Sequence, residues 1–174
     1  AIVKYQSGRD IAIFNKDYAN SDYFSAMTKV KKFFVSAKET NFSGDGAHIA
    51  GSKIVYCEGV KCELIGDVAK IALIGAHNLE NVLASVVAAR QFGVSIALIQ
   101  KIIYSFKGLP DRLEFVRKIN GVQYYNDSFS TIPETSIAGV KAFKQSVILI
   151  AGGSDKGADY RKWALELQKS SNLK

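Results

Sequence analysis

Four short segments of the 174-residue sequence place polar side chains where they could bind an anion or a nucleotide. The first, Gly75-Ala76-His77-Asn78, opens a helix that we predict from residue 78. His77 and Asn81 fall on one face of this helix, opposite its apolar stripe, and a helix N-terminus with amide and imidazole groups can hold a base edge or an anion. The same residues would also suit a helix cap beside a surface histidine whose hydrogen bonds are made, so this segment alone does not establish a binding site.

The second segment places an arginine directly after a break in the helical pattern. Arg112 follows Leu109-Pro110, and its planar guanidinium could clamp a phosphate through two parallel hydrogen bonds. A surface ion pair with Asp111 or Glu114 is the alternative, and spacing alone favours it.

The third segment, from Asn126 to Thr131, lies between a predicted strand end and a predicted helix start. Open α/β sheets bind their ligands beyond the carboxyl ends of the strands. There Asp127 could accept hydrogen bonds from a ribose, and free backbone N–H groups at the helix start could hold a carboxylate. Capping of the helix by Ser128 or Thr131 is the alternative.

The fourth segment is the glycine-rich loop from Gly152 to Gly157. Its glycines allow backbone N–H groups to converge on an anion, and Lys156 adds a positive charge. The loop lacks the Gly-x-x-x-x-Gly-Lys-Ser/Thr spacing of a P-loop, and no other part of the chain supplies that spacing. A tight turn between a strand and a helix is the alternative.

The elements that would position these segments follow from the hydrophobic pattern. In the first part of the chain we predict strands, a helix and hairpins in this order: a buried strand at Ile11–Phe14, a helix at about Tyr18–Lys32, a strand at Phe33–Ala37, a hairpin around Gly51-Ser52 and a further strand pair to Val68. Two helices follow, the first with one buried stripe formed by Leu79, Val82, Leu83, Val86 and Val87. Gly93 ends that helix, and the second runs from about Val94 to Phe106.

A break at residues 107–110 predicts a domain boundary, with one domain over residues 1–107 and another over 108–174. Beyond it, Asn120-Gly121 predicts a hairpin. Thr131 and Glu134 have the spacing of a capping box, with Pro133 in the first helical turn. The apolar run Val147–Ile150 is typical of a parallel strand covered on both faces, and a helix follows from about Tyr160. This order indicates a doubly wound α/β domain that one unit does not complete, so we expect more chain to follow.

Composition excludes several classes of protein. A hydrophobic fraction of 48% suits a globular chain, and no apolar stretch reaches the roughly 18 residues of a membrane span. We see no signal peptide and expect a cytoplasmic protein. The net charge of +7 is scattered, and its one cluster, Lys29, Lys31 and Lys32, is predicted to be a solvated helix face rather than a nucleic-acid site. For Cys57 and Cys62, free thiols are favoured over a disulfide or half a metal site.

Taken together, the four segments resemble the Mur ligase family of ATP-dependent amide ligases. The matching stretches span about residues 71 to 160: Gly-Ala-His-Asn-Leu-Glu-Asn-Val-Leu-Ala, Phe-Lys-Gly-Leu-Pro-Asp-Arg-Leu-Glu-Phe-Val, Asn-Gly-Val-Gln-Tyr-Tyr-Asn-Asp-Ser and Ile-Leu-Ile-Ala-Gly-Gly-Ser-Asp-Lys-Gly. The Gly-Gly-x-Asp-Lys-Gly block points to the branch that adds D-glutamate. The resemblance implies an α/β fold, with the distal part of the central ATPase domain followed by the first part of a Rossmann-like C-terminal domain.

The resemblance also implies a reaction and a role for each residue. ATP with Mg²⁺ would phosphorylate the carboxylate of UDP-N-acetylmuramoyl-L-alanine, and the amine of D-glutamate would attack the acyl phosphate during peptidoglycan synthesis. His77, Asn78 and Asn81 would line the adenine side, and Asp127 would hold the ribose. Arg112 would reach the terminal phosphate, so that Arg112 and Lys156 would be catalytic. Ser128, Thr131 and Lys156 would bind the carboxylates of D-glutamate. We expect a monomer that binds neither nucleic acid nor membrane.

Two residues depart from the family pattern, because Phe129 stands where a lysine is usual and Asp111 where a histidine is usual. The resemblance places the phosphate loop and the Mg²⁺ ligands upstream of Ala1. The chain alone is therefore expected not to turn over ATP, and D-glutamate-dependent phosphate release would contradict this. Another Mur-type or folylpolyglutamate-type ligase is one alternative. A non-catalytic nucleotide-binding module is another, and a nucleic-acid module is a more distant one.

Overall fold

A computed structural model describes residues 2–38, 42–154 and 157–174. The chain forms two compact units. The first unit comprises Ala1–Ala72 and Asn78–Phe106, and the second comprises Leu73–His77 and Lys107–Lys174. The chain thus leaves the first unit after Phe106, but the five residues before Asn78 also belong to the second unit.

The first unit is a mixed five-stranded sheet with its helices. Its strands follow the chain order β1-β2-β3-β4-β5, and β1, β2 and β3 run parallel while β4 and β5 each pair antiparallel to the strand before. The elements are β1 (Ile11–Asn15), α1 (Ser21–Ala26), β2 (Lys31–Ser36), β3 (Gly46–Ala50), β4 (Lys53–Glu58), β5 (Lys61–Asp67), α2 (Ala76–Gln91) and α3 (Ile96–Ser105), with short 3-10 turns at Ile2–Tyr5 and Val68–Lys70.

The core of the first unit lies where α2 buries its apolar stripe. Leu83 and Val87 are fully buried, as are Phe33, Ile54 and Ile65 of the sheet. Removing side chains of this size from water drives the packing by roughly 1.5–3 kcal/mol each. The predicted α2 stripe, its end at Gly93 (φ +76°) and the hairpin at Gly51-Ser52 are confirmed.

The helix predicted over Tyr18–Lys32 is wrong for most of its length. Only Ser21–Ala26 is helical, and Lys31 and Lys32 begin β2. Phe33 and Val35 are buried at a spacing of two residues, which is the period of a strand with one covered face, and β2 pairs along its length with β1. The lysine cluster is therefore not a helix face.

The prediction of two free thiols is also wrong. Cys57 and Cys62 are register partners on the antiparallel strands β4 and β5, and their sulfur atoms are bonded at 2.02 Å. Their separation of five residues spans the turn of the hairpin, so pairing of the strands brings the two Cβ atoms together.

The second unit contains a hairpin and two helices among its described residues. They are β6 (Glu114–Ile119), β7 (Val122–Asn126), α4 (Pro133–Lys141) and α5 (Tyr160–Gln168). The predicted turn at Asn120-Gly121 is confirmed, and both residues have positive φ (49° and 86°), as a two-residue type I′ turn requires.

Two local predictions for the second unit are wrong. The residue that caps α4 is Ile132, without a side-chain hydrogen bond, because the Thr131 N–H is taken by the carbonyl of Phe129 in a preceding turn. The run Val147–Ile150 is not a covered strand: it forms a single parallel bridge from Val147 to Leu173, and Ile148 and Ile150 are 79% and 94% exposed. Among the residues described, no other strand pairs with this run.

Candidate functional site

A cavity of about 490 Å³ lies in the second unit between the start of α4 and the loop that leads to α5. Six of its thirteen lining residues carry a hydroxyl group, and we call it the hydroxyl-lined cavity; its walls are Ser128, Ser130, Thr131, Ile132, Pro133, Ser136, Ala151, Gly152, Gly153, Ser154, Ala158, Tyr160 and Trp163. Hydroxyls can both donate and accept hydrogen bonds, so this lining suits a small polar ligand.

The cavity brings together two of the four segments found in the sequence. Ser128 and Thr131, predicted to bind substrate, form one wall, and the backbone from Gly152 to Ser154 forms the other. Lys156, predicted to be catalytic and to bind substrate, lies outside the described residues. Sequence reasoning missed Ser136 and Trp163, because neither has a local pattern that predicts its place in the cavity.

Asp127 lies beside this cavity and is held from two directions. Its Oδ1 accepts a hydrogen bond from the N–H of Leu113 at 3.0 Å, and its Oδ2 accepts one from the hydroxyl of Ser130 at 2.6 Å. A Cβ on Gly139 would lie 2.8 Å from Oδ2, so α4 approaches this carboxylate as closely as glycine allows. An ionised carboxylate accepts about four hydrogen bonds, so capacity remains for a ligand such as a ribose.

Arg112 lies in a tightly curved segment. Its neighbours Asp111 and Leu113 both have positive φ (60° and 46°), a conformation that costs non-glycine residues about 1–3 kcal/mol and is common at functional sites. The alternative ion pair does not form, because Asp111 Oδ1 instead accepts from Asn126 and Glu114 accepts from the backbone N–H of Asp111. Within the described ranges the Arg112 guanidinium takes part in none of the ion pairs.

The two departures from the family pattern lie in direct backbone contact. The N–H of Phe129 donates to the carbonyl oxygen of Asp111 at 2.9 Å. The Phe129 side chain is 65% exposed, so the ring that replaces the usual lysine faces solvent. The curved segment around Arg112 and the segment that contains Asp127 are thus tied together in the second unit.

In the first unit, the start of α2 is anchored on the end of β1. Glu80 Oε2 accepts hydrogen bonds from Asn15 Nδ2 and from the Tyr18 hydroxyl, both at 2.9 Å. The hydrogen bond that the Tyr18 hydroxyl donates to Glu80 raises the pKa of Tyr18 above its ordinary value, because the nearby carboxylate disfavours a phenolate. Asn78 and Asn81 flank Glu80 in the same helix, and Asn81 is exposed.

His77 belongs to the second unit, while Asn78 and Asn81 belong to the first. The His77 ring lies over Gly75, where an added Cβ would come within 2.8 Å of its Cε1 atom. Glycine is needed here for two reasons: a φ of +96° is unfavourable for other residues, and a Cβ would collide with the His77 ring. No cluster of three or more histidine, cysteine, aspartate or glutamate residues that could hold a metal occurs in the part of the chain that the structure describes. None of the helices in that part is long and apolar enough to cross a membrane.

Solved structures share the fold of this chain. MurF from Acinetobacter baumannii superposes on 99% of this chain with a TM-score of 0.68 at 15% identity, and the match covers 44% of that enzyme. Folylpolyglutamate synthetase from Lactobacillus casei matches 92% of the chain at 17% identity with a TM-score of 0.53, over 41% of its own length. These likenesses define the fold as that of Mur-type ligase domains.

Sequence relatives narrow this class. The UDP-N-acetylmuramoylalanine–D-glutamate ligase of Clostridium kluyveri is 41% identical over 157 residues, which are 89% of this chain and 32% of the relative. Two ligases of the same name match as well. That of Clostridium novyi is 40% identical over 95% of this chain and 34% of the relative. That of Pelotomaculum thermopropionicum is 32% identical over 97% of this chain and 36% of the relative. No protein-family model matches. The chain belongs to the Mur ligase family, and it spans about a third of the length of the curated relatives it matches.

Proposed function

We propose that this chain supplies nucleotide-binding and D-glutamate-binding residues to an ATP-dependent ligase of peptidoglycan synthesis that joins D-glutamate to UDP-N-acetylmuramoyl-L-alanine. The relatives that carry the name of this ligase support the proposal. The observation that carries it is the hydroxyl-lined cavity, since it joins two separate segments of the sequence, Ser128–Thr131 and Gly152–Ser154, around a space for a small polar ligand.

In the second unit we assign Thr131 and Ser128 to the carboxylates of D-glutamate. Both line the cavity, and hydroxyl donors can hold a carboxylate without placing a further negative charge beside it. We assign Lys156 the same task on the strength of the family resemblance, since an ammonium group would pair with a carboxylate. These residues would fix the amine of D-glutamate for its attack on the activated substrate.

We assign the nucleotide contacts to five residues on the strength of the family resemblance. Asn78 and Asn81 of α2 would bind the adenine edge through their amides, and His77 would lie beside it. Asp127 would accept a hydrogen bond from the ribose, and Arg112 would bind a phosphate. ATP supplies the phosphoryl group that activates the substrate carboxylate, and we assign no residue of this chain to Mg²⁺. We place the reaction in the cytoplasm.

Titration with the two enantiomers of glutamate tests the acceptor site. D-glutamate should change the emission of Trp163, the only tryptophan of the chain, because its indole lines the cavity, and L-glutamate should bind more weakly. Thr131→Ala should weaken D-glutamate binding. Thr135→Ala removes a hydroxyl that is bonded only to the carbonyl of Ile132 on exposed α4 surface, and it should leave binding unchanged. A preference for L-glutamate would favour the folylpolyglutamate-type alternative, and no response to either enantiomer would contradict the assignment.

A matched pair of arginine variants tests the nucleotide site. Arg112→Ala should weaken ATP binding by about tenfold, the effect of losing one charge-assisted contact worth roughly 1.5 kcal/mol or more. Arg117→Ala changes an exposed arginine on β6 and should have no effect beyond the loss of net charge. Equal weakening by both variants would mean that ATP binds through general charge attraction, and the assignment of Arg112 would then be wrong.

A further inference from the structure

One hydroxyl group joins the two helices that border the hydroxyl-lined cavity. The indole Nε1–H of Trp163 in α5 donates to Ser136 Oγ at 2.7 Å, across 27 positions of sequence. The same Ser136 hydroxyl donates to the carbonyl oxygen of Pro133 at 2.9 Å, in the first turn of α4. All three residues line the cavity, so this chain of hydrogen bonds lies in its wall.

The direction of both bonds is fixed by the groups that make them. An indole N–H can only donate and a carbonyl oxygen can only accept, so the single hydroxyl proton of Ser136 must point to Pro133 while its oxygen receives the indole. No second arrangement satisfies all three groups. Ser136 and Trp163 are both partly buried, where an unmade hydrogen bond is costly.

Two further features, a proline and an aromatic contact, limit the motion of this wall. Proline at the first helical position has a fixed φ, so the carbonyl that anchors Ser136 belongs to a stiff segment next to Thr131. On the other side, Tyr160 meets the Trp163 ring edge-on, with ring centroids 6.4 Å apart and an interplanar angle of 89°. The indole therefore ties the start of α5 to the first turn of α4, directly after Thr131.

We propose that Ser136 and Trp163 form a positioning pair that sets the width of the hydroxyl-lined cavity and thereby its selectivity for D-glutamate over L-glutamate. This inference rests on the proposed function, because it takes D-glutamate as the ligand of the cavity. The pair acts through the wall that it holds, in which Pro133 and Ser136 of α4 follow Thr131, and Tyr160 and Trp163 belong to α5. Enantiomers present the same groups in different directions, so their discrimination depends on the spacing between walls more than on the number of donors.

The test compares Ser136→Ala and Ser136→Thr with the unaltered 174-residue chain, using NMR titration with D-glutamate and with L-glutamate. Ser136→Ala should weaken D-glutamate binding by about tenfold, the size expected when the partly buried indole N–H of Trp163 loses its acceptor, while binding of L-glutamate changes less. Ser136→Thr keeps the hydroxyl and should restore the affinity for D-glutamate to within about twofold of the unaltered chain. Exchange of the Trp163 indole proton with solvent should be slow in the unaltered chain and in Ser136→Thr, and faster in Ser136→Ala.

Asn172→Ala is the matched control for stability. The Asn172 side chain donates to the carbonyl oxygens of Val140 and Phe143 at 2.9 and 2.8 Å, so its loss weakens the same unit without touching the cavity wall. If Asn172→Ala lowers the affinity for D-glutamate as much as Ser136→Ala does, the effect is one of stability and the positioning role is overturned. Unchanged D-glutamate affinity in Ser136→Ala overturns it as well. Failure of the unaltered chain to bind D-glutamate is a different result, which overturns the proposed function and this inference together.

Discussion

Replacing Gly139 with alanine measures how firmly the carboxylate of Asp127 is held. Gly139 lies inside α4, where alanine is normally favoured over glycine by about 1 kcal/mol. Here the added Cβ would lie 2.8 Å from Asp127 Oδ2 and 3.6 Å from a methyl carbon of Leu113. The second contact is ordinary, so the outcome depends on whether the carboxylate can move away.

The carboxylate can move only by giving up hydrogen bonds. Oδ2 accepts from the hydroxyl of Ser130 at 2.6 Å and Oδ1 from the N–H of Leu113 at 3.0 Å. A bond to a charged acceptor contributes about 1.5–3 kcal/mol, so the loss of one outweighs the gain in helix propensity. We therefore expect Gly139→Ala to destabilise the second unit by about 0.5–2 kcal/mol, which corresponds to roughly 2–16 °C in melting temperature for a domain of 60–100 residues.

Tryptophan fluorescence isolates the unit that this change affects. Trp163 is the only tryptophan and lies in the second unit, so its emission during urea or thermal unfolding reports that unit rather than the whole chain. The control is the same substitution in an Asp127→Ala background, where the clash is gone and alanine should stabilise by up to about 1 kcal/mol. Stabilisation by Gly139→Ala in the unaltered chain, or equal effects in both backgrounds, would refute the account of Asp127.

Three further predictions concern the first unit. Gly46→Ala should prevent its sheet from forming, with a loss above about 3 kcal/mol, because a Cβ would lie 1.7 Å from the Phe34 carbonyl oxygen; native-like circular dichroism and melting would contradict this. Glu80→Gln should lower the pKa of Tyr18 towards its ordinary value of 10.0, since the Glu80 bond is the main cause of its rise; ultraviolet titration against a Tyr18→Phe blank measures the pKa, and no change would refute that cause. Because the pKa of Tyr18 is raised in the folded state, its bond to Glu80 contributes to stability below pH 10. That contribution is lost as the pH rises through the higher folded pKa. Hydrogen bonds, foremost from a lysine of β2, hold the pKa of Glu58 below its ordinary 4.5, so its contribution is present above that value and is lost as the pH falls through the lower folded pKa. Glu58→Gln should therefore flatten the loss of stability in acid, and an unchanged acid profile would exclude this contribution.

Features set by neighbouring residues could be predicted from the sequence. The Asn120-Gly121 turn was predictable because few dipeptides adopt two consecutive positive φ angles. The stripe of α2 was predictable because its apolar residues repeat at the period of a helix. Each of these depends on a few adjacent positions, and neither depends on what the rest of the chain does.

Features set by distant partners could not be predicted in the same way. Lys31 and Lys32 were assigned to a helix because the pairing of β2 with β1 is not visible in a local pattern. The capping box failed because Thr131 gives its N–H to a turn that reaches back to Phe129. Val147–Ile150 has the composition of a buried strand, but burial needs a partner, and the described residues provide one bridge only.

The candidate site also combines features set by neighbouring residues with features set by distant partners. The sequence predicts Ser128, Thr131 and Asp127 as ligand-binding residues, since hydroxyl and carboxylate groups between a strand and a helix suit a ligand, and these roles stay predictions. The structure places Ser128 and Thr131 in the wall of the cavity. The arrangement of that wall is not predictable from the sequence, because the bond between Ser136 and Trp163 joins positions 27 residues apart. The partners of Asp127 were likewise hidden, since the N–H of Leu113 is 14 positions away.

The division of the chain into interleaved units limits how it can be cut and in what order it can fold. The second unit includes Leu73–His77, which come from the middle of the chain. In this segment Gly75 lies within contact distance of Ala142 of the same unit. A shortened chain that starts at Lys107 would leave this place empty and should be less stable than the same unit supplied with a peptide of residues 73–77. On the ribosome, those five residues emerge before Lys107–Lys174, the rest of the unit to which they belong. The second unit therefore cannot form until the chain beyond Lys107 has been made, whereas residues 1–106 can already pair their own strands and helices.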